Sequence, residues 1–276
     1  MNIVGDFGGT WMRMSIVVDG KIGKIERVKT PDSYEGFLKA ISSLKVALGI
    51  ESGDKTVIGM AGIIDRENGV VLYSPNIPYL SSAHLATDIS QILGGKVLIE
   101  NDTALAGLAE AKVGSGAGKS VVAYISIGTG VGGARIDRGE IDNRTFGFEP
   151  GHHLVDMCGG LKGGEVSEHT RGQWESLVGG RAVERAYGMP PHMIKDKNVW
   201  EDIARKTAVG IYNTILFWSP DIVVMGGSMM LGEPAISVEL IKEEIRLRAF
   251  HEKVIVPIVI AKHGDSAGLV GASLLL

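Results

Sequence analysis

Two glycine-rich stretches decide the fold: Gly5-Asp6-Phe7-Gly8-Gly9-Thr10 and Gly128-Thr129-Gly130-Val131-Gly132-Gly133. Each follows a short apolar run and leads into a second one. That second run ends in a tight-turn pair, Asp19-Gly20 in the first case and Arg138-Gly139 in the other. Such pairs favour two-residue β-hairpin turns. The same order of strand, glycine turn, strand and hairpin therefore occurs twice and predicts two related α/β units. The alternative is that hairpins simply recur in an α/β protein.

The composition is that of a globular protein with a sizeable core. The chain has 276 residues, 45% of them hydrophobic, and a formal net charge of −4. This charge argues against a nucleic-acid binder that relies on bulk charge. No apolar run reaches the ~18–20 residues of a membrane span, and no leader segment opens the sequence. Cys158 is the single cysteine, so we expect a cytoplasmic protein without disulfides and without nucleic-acid or membrane partners.

The glycine turns predict a phosphate-binding site. Backbone N–H groups in a turn without side chains can converge on phosphate oxygens, although each turn taken singly also suits a plain hairpin. Together with a third turn, Gly226-Gly227-Ser228, they suit a long, charged ligand such as ATP. A carboxylate facing a triphosphate is repulsive unless a metal intervenes, so Asp6 predicts Mg²⁺ bound through water. The predicted ATP-binding residues are Asp6, Gly8, Gly9, Thr10, Gly128, Thr129, Gly130, Gly132, Gly226 and Gly227.

The pair Asn101-Asp102 follows an apolar strand and precedes an alanine-rich helix. Two interpretations of Asp102 stay open. Asp and Asn are favoured helix N-caps, so its role can be structural. Alternatively, Asp102 accepts a hydrogen bond from a substrate hydroxyl and takes its proton late in phosphoryl transfer. Asn101 would then bind a neighbouring hydroxyl.

Three further polar residues suit a ligand with several hydroxyl groups. Glu149, His152 and Glu175 offer carboxylates and an imidazole, which can hydrogen-bond to a sugar. The alternative is that both glutamates are surface charges and that His152 is a loop histidine with a local partner.

These motifs, in this order, resemble the ROK family (repressors, open reading frames, kinases), a sugar-kinase group of the actin-like ATPase superfamily. The likeness runs from Asn2 to Leu276 and includes Glu149-Pro150-Gly151-His152. It implies two related actin-like (ribonuclease H-like) α/β domains with a cleft between them. We expect a smaller domain of residues 1–113 plus 264–276 and a larger one of residues 114–263.

The resemblance also implies an activity, namely ATP-dependent phosphorylation of a hexose at its 6-hydroxyl with Mg²⁺, and Asp102 as general base. Glucose is the first candidate, and an N-acetylhexosamine (N-acetylmannosamine or N-acetylglucosamine) is the alternative acceptor. A homodimer is expected. A sugar-responsive repressor is disfavoured because only five residues precede Asp6, and a non-catalytic sensor because Asp102 is intact. The implied sugar-binding residues are Asn101, Glu149, His152, Glu175, Gly62 and Asn76.

One departure from the family pattern concerns zinc. Members commonly carry Cys-x-Cys-Gly-x-x-Gly-Cys-x-Glu, whose cysteines bind a structural zinc. The matching segment here is residues 166–175, in which all three cysteine positions are lost while Gly172 and Glu175 remain. Since zinc needs about four N or S ligands, no zinc site is expected, and the alternative is a site improvised from Cys158, His153 and His169. Without zinc, His152 loses the partner that would orient its ring. Another hydrogen bond must then orient His152.

Overall fold

The computed structural model describes residues 1–142, 147–158, 160–164 and 168–276. The strands are β1 (Asn2–Phe7), β2 (Trp11–Val18), β3 (Lys21–Ile22), β4 (Glu26–Lys29), β5 (Lys55–Met60), β6 (Ile63–Asp65), β7 (Val70–Tyr73), β8 (Lys96–Asn101), β9 (Val121–Ile127), β10 (Val131–Asp137), β11 (Glu140–Ile141), β12 (Ile222–Gly226) and β13 (Ile258–Ile260). The α-helices are α1 (Tyr34–Ala47), α2 (Leu85–Leu93), α3 (Asp102–Val113), α4 (Glu175–Val178), α5 (Gly180–Tyr187), α6 (Lys197–Trp218), α7 (Ser228–Leu231), α8 (Val238–Arg248) and α9 (Ala267–Ser273).

The first of two compact units comprises Met1–Ala109 and Ser266–Leu276. Its main sheet has the order β3-β2-β1-β5-β8, and β4 pairs with β2. The β1–β2 pair is antiparallel, whereas β1, β5 and β8 run parallel. Strands β6 and β7 form a small antiparallel hairpin of their own.

The second unit comprises, among the described residues, 110–142 and 147–265. Its sheet has the order β11-β10-β9-β12-β13. An antiparallel hairpin again lies beside a parallel set, because β9 pairs antiparallel with β10 and parallel with β12. The two sheets thus share one strand order, which confirms the predicted repeat.

The two hairpin turns explain why the repeat could be predicted from the sequence. Asp19 and Gly20 both have positive φ, at 50° and 72°, and so do Arg138 and Gly139, at 50° and 77°. Positive φ at both central residues defines the turn whose twist matches paired strands. Both predicted tight turns are therefore present, at equivalent positions of the two sheets.

The predicted domain limits, 113/114 and 263/264, lie within a few residues of the unit limits, which fall at 109/110 and 265/266. Whether each unit folds as an independent domain stays a prediction. Among the described residues, no helix has the length and apolar character needed to cross a membrane.

Each unit has its own core. In the first, Phe7 and Phe37 meet edge to face with centroids 5.6 Å apart. In the second, the fully buried Trp174 lies flat on α6. A Cβ on Gly210 of that helix would stand only 2.0 Å from the Trp174 ring, so glycine is required there.

Sheet register places the motif residues at strand ends. In the first unit Gly59 of β5 is opposite both Asp6 of β1 and Glu100 of β8, so Asp6 and Asn101 lie at the carboxyl ends of the two parallel strands that flank β5. In the second unit Gly226 of β12 is opposite Ser126 of β9, just before the glycine turn at 128. The carboxyl ends of parallel strands are where open α/β sheets bind ligands.

Candidate functional site

Asn101, rather than Asp102, caps helix α3. Its Oδ1 accepts a hydrogen bond from the Ala104 N–H at 3.0 Å, which is the bond an N-cap residue makes. Its Nδ2 donates to the Gly62 carbonyl at 3.1 Å. The structure thus removes the capping interpretation from Asp102 and brings two predicted residues, Asn101 and Gly62, into contact.

Asp102 is the first residue of the helix and is partly buried. Its Oδ1 accepts hydrogen bonds from the backbone N–H and hydroxyl of Thr103, at 2.7 and 3.3 Å. Among the described residues, Oδ2 accepts none. Burial, reinforced by the nearby Asp6 carboxylate, raises the pKa of Asp102 to about 6, and the Thr103 bonds oppose this shift. A carboxyl with these properties is suited to take up a proton near neutral pH.

Asp6 is paired with a cation. Its Oδ2 lies 2.5 Å from a guanidinium nitrogen of Arg13 on the neighbouring strand β2. Sequence reasoning missed Arg13, although it stands opposite Asp6 in the hairpin register. The guanidinium of Arg13 therefore balances part of the negative charge of the Asp6 carboxylate.

The first glycine turn packs on the loop that carries Asn76. A Cβ on Gly9 would stand 3.2 Å from both Cβ and O of Asn76, so only a bare backbone fits comfortably. The Gly8 N–H donates to the Trp11 carbonyl at 2.9 Å, as in a hairpin. Gly9 and Thr10 are exposed. The turn is therefore a hairpin whose tip is open to a ligand.

The second glycine turn is held by Glu175. Its Oε2 accepts a hydrogen bond from the Val131 N–H at 2.7 Å. A Cβ on Gly130 would stand 2.3 Å from the same oxygen. The Gly180 N–H in turn donates to the Gly128 carbonyl at 2.7 Å. Oε2 of Glu175 therefore shapes the glycine turn, and the role of Glu175 in sugar binding stays a prediction.

The Glu149–His152 segment packs directly on β10. Pro150–His152 form a short 3₁₀ turn, and a Cβ on Gly151 would stand 2.3 Å from the Val131 carbonyl oxygen. A Cβ on Gly133 would likewise stand 2.5 Å from Pro150. The glycines of the two motifs therefore allow two backbones to approach closely, which brings His152 to the same side as the glycine turn.

Gln173 orients the ring of His152. Its Oε1 lies 3.0 Å from Nδ1 of His152, and its Nε2 donates to the His169 carbonyl at 2.8 Å. Because the amide nitrogen is turned towards His169, the amide oxygen faces the histidine and Nδ1 carries the proton. The exposed Nε2 of neutral His152 is then a hydrogen-bond acceptor.

The third glycine turn follows β12. A Cβ on Gly226 would stand 2.4 Å from the Tyr124 hydroxyl oxygen, and one on Gly227, which has φ +87°, 2.4 Å from the Ile127 carbonyl oxygen. These glycines therefore let β12 approach β9, and the exposed part of the turn begins at Ser228.

A cavity of about 490 Å³ in the second unit is lined by part of the predicted nucleotide site. It includes Gly128 and Thr129 but not Gly130, Gly132, Gly226 or Gly227. Sequence reasoning missed most of its wall, of which only Gly128, Thr129 and Ser228 stand in predicted glycine turns. The lining residues are Gly128, Thr129, Gly180, Arg181, Glu184, Pro191, His192, Trp200, Ser228, Met229, Gly232, Glu233 and Pro234.

No group of three or more His, Cys, Asp or Glu side chains that could hold a metal occurs in the described part of the chain. Val166 and Ser167, which stand in the segment matching the zinc motif, lie outside the described residues. His153, next to His152, stacks on Trp174, and burial lowers the pKa of its imidazole.

Comparison with known proteins identifies the family to which the chain is similar. The model of the ROK family matches residues 3–276. A glucokinase of Aeropyrum pernix is 31% identical, over 97% of this chain and 93% of the relative. An N-acetyl-D-glucosamine kinase of Escherichia coli is 30% identical, over 98% and 97%. The crystal structure of a ROK family glucokinase from Streptomyces griseus in complex with glucose and AMPPNP superposes with a TM-score of 0.80 at 27% identity, covering 99% of this chain and 98% of that one.

Proposed function

Because the chain belongs to the ROK family and is an ATP-dependent sugar kinase, we propose that it phosphorylates a hexose at the 6-hydroxyl, with glucose the first candidate. The observation that carries this proposal is the carboxyl group of Asp102, which lies at the carboxyl edge of a parallel sheet. The relatives named above support the sugar class.

We propose Asp102 as the general base. With a pKa of about 6, roughly nine-tenths of the side chain is ionised at pH 7. Its Oδ2 can accept a hydrogen bond from the sugar hydroxyl and take the proton as the oxygen attacks the γ-phosphate. Phosphoryl transfer has a loose transition state, so orienting the hydroxyl matters more than a strong base.

Asp6 fits a Mg²⁺ ion bound with a nucleotide. Mg²⁺ in such sites is commonly held by one or two carboxylates, phosphate oxygens and water. The Asp6 carboxylate raises the pKa of Asp102, so a Mg²⁺ ion beside Asp6 would offset the repulsion between these two carboxyl groups. When bound, the metal would neutralise phosphate charge, and Arg13 would hold Asp6 in place.

We infer that the cavity of the second unit holds the nucleotide. Thr129 and Ser228 offer hydroxyl and backbone donors for phosphate oxygens. Trp200 and Met229 offer apolar surface for the base, and Glu184 is an acceptor for ribose hydroxyls. We also propose Gly8, Gly9 and Thr10 of the first unit, and Gly130, Gly132, Gly226 and Gly227 of the second, as phosphate-binding residues.

The residues we propose for sugar binding occur in both units. Each of them offers either a polar group that can hydrogen-bond to a sugar hydroxyl or a backbone that leaves room for the sugar. His152 supports the assignment best, since its Nε2 is an oriented acceptor. The proposed sugar-binding residues are Gly62, Asn76, Asn101, Glu149, His152 and Glu175.

An N-acetylhexosamine is the second candidate acceptor. The N-acetyl-D-glucosamine kinase matches this chain over nearly its whole length, at an identity close to that of the glucokinase. This similarity supports an N-acetylhexosamine as an acceptor. We also propose a cytoplasmic homodimer, with residues 1–113 plus 264–276 and 114–263 as its two domains.

The experiment that tests the proposal is ADP release from Mg-ATP with glucose, mannose, fructose, N-acetylglucosamine and N-acetylmannosamine. 6-Deoxyglucose is the matched control, because it lacks only the proposed acceptor oxygen. We expect turnover with glucose and none with 6-deoxyglucose. Turnover with an N-acetylhexosamine alone would favour the second candidate, and no turnover with any sugar in folded protein would refute the hexose assignment.

A further inference from the structure

A buried ion pair lies directly behind the proposed general base. Glu100, the penultimate residue of β8, is 3% exposed. The Nε of Arg66 lies 2.8 and 2.7 Å from its two carboxylate oxygens. A carboxylate buried to this degree needs a cation or several hydrogen bonds to remain charged. Arg66 is that cation, and it comes from the turn between β6 and β7.

The carboxylate of Glu100 also holds the turn that leads to Asp102. Its Oε1 accepts a hydrogen bond from the Asn101 N–H at 2.7 Å. The side chain of Asn101 then joins the start of α3, at Ala104, to the Gly62 carbonyl. Two connections, one ionic and one through an amide, therefore link the strand–helix turn to the segment of residues 61–76.

That segment, which we call the β6–β7 arm (residues 61–76), is also tied together internally. The Ser74 hydroxyl donates to the Ala61 carbonyl at 3.1 Å and closes the base of the hairpin. The Asn68 N–H donates to Asp65 at 3.1 Å and shapes its tip. The arm carries Gly62 at one end and Asn76, against Gly9, at the other. Gly69 and Val71 of the arm also pair with residues 82–86, whereas Arg66 and Gly62 link it directly to the turn that leads to Asp102.

We propose that Arg66 is a positioning residue for sugar phosphorylation: by pairing with Glu100 it fixes the β6–β7 arm, and with it Gly62 and Asn76, relative to Asp102. This inference rests on the proposed function. Arg66 acts through Glu100 and the β6–β7 arm, and we do not propose that it contacts the sugar. Since misplacement of reacting groups by about 1 Å can cost ~100-fold in rate, loosening the arm affects both sugar binding and turnover.

A merely structural ion pair would change stability alone, so the test compares kinetics. The variant is Arg66→Met, which keeps an unbranched apolar stem and removes the charge and the Nε donor that contacts Glu100. The matched control is Arg135→Met, because Arg135 forms a partly buried ion pair with Asp142 at 2.5 Å in the other unit. Arg66→Lys tests rescue by a retained positive charge.

For Arg66→Met we expect KM for the hexose to rise and kcat to fall, each about tenfold or more, while KM for ATP changes less because the proposed nucleotide cavity lies in the other unit. Arg66→Lys should recover most of the loss, and Arg135→Met should leave KM for the hexose unchanged. Hexose KM and kcat within about twofold of wild type in folded Arg66→Met, or equal losses in Arg135→Met, would overturn the proposal.

If Arg66→Met does not fold, the double variant Arg66→Met with Glu100→Gln replaces it. A neutral pair in place of a buried ion pair is often tolerated, and the amide oxygen can still accept from the Asn101 N–H. The same rise in hexose KM is expected, and wild-type kinetics would overturn the positioning role. A wild-type protein that phosphorylates no sugar overturns the proposed function as well, whereas an active wild type with unaffected variants overturns only this inference.

Discussion

Nδ1 of His152 lies 3.0 Å from Oε1 of Gln173, and Gln173 stands where the ROK motif has its last zinc cysteine. The same amide donates to the His169 carbonyl, and the backbone of residues 153–156 pairs with residues 172–174. Hydrogen bonds therefore hold residues 172–174 against residues 153–156, and they fix the ring of His152. The need for another partner for His152, expected from the sequence, is met by a residue at a lost cysteine position.

We predict that Gln173→Leu weakens sugar binding and that this loss does not depend on a bound metal. Loss of one hydrogen bond of about 1 kcal/mol should raise KM for the hexose about fivefold, because His152 is no longer held. KM for ATP should change less. Steady-state kinetics measures both, and Gln173→Asn, which keeps the amide on a shorter side chain, is the control. An unchanged hexose KM in Gln173→Leu would contradict the role.

The pH dependence of turnover should report Asp102. A protonated Asp102 cannot take the proton of the sugar, and burial with the Asp6 charge raises its pKa to about 6. Activity should therefore fall as the pH drops through about 6. The measurement is kcat/KM for the hexose from pH 5 to 8 at Mg-ATP well below its KM, because these conditions report the pKa of the free enzyme. A flat profile down to pH 5 would rule out an Asp102 with this pKa as the base.

Asp102→Asn should stabilise the folded protein at pH 7. The folded-state pKa is about 6 against a model value of 3.8, so folding favours the protonated form and ionisation opposes it. This penalty is absent below about pH 3.8, grows as the pH rises and is complete above about 6. A shift of this size corresponds to at most about 3 kcal/mol.

Urea unfolding of wild type and Asp102→Asn at pH 7 and pH 4 measures this difference. The variant should be more stable at pH 7, and the gap should shrink at pH 4. Equal stability at both values would show that Asp102 is not strained by burial, and the explanation of its raised pKa would fail.

Gly130→Ala should disrupt the second glycine turn. The added Cβ would stand 2.3 Å from the Glu175 oxygen that accepts the Val131 N–H. We expect KM for ATP to rise about tenfold or more, in line with one or two lost hydrogen bonds. Gly160→Ala is the control, because its Cβ would meet nothing within 4 Å. Equal kinetics in the two variants would contradict the role of this turn.

The repeated fold could be predicted because its signals are local. Glycine turns and the pairs Asp19-Gly20 and Arg138-Gly139 determine backbone geometry within a few residues, and the two sheets follow them. The role of the Asn101-Asp102 pair could not be settled in the same way, because both residue types cap helices. Only the bond from the Ala104 N–H identifies the cap.

The partners of the site residues were beyond sequence reasoning, since they come from distant segments. Glu175 reaches Val131 across 44 positions, and Arg66 reaches Glu100 across 34. Neither spacing has a local signature. The same holds for most of the cavity wall, where Glu184, Trp200 and Pro234 meet only after the second unit has folded.

The most direct test of the central claim is the effect of Asp102→Asn on turnover and on sugar binding. The amide keeps the size of the side chain and its acceptor for the Thr103 N–H but cannot take a proton. We predict that kcat falls at least ~100-fold, as expected for loss of a general base, while the Kd for hexose measured by calorimetry stays within about threefold. A variant that keeps most of its turnover would contradict the assignment of Asp102 as the base.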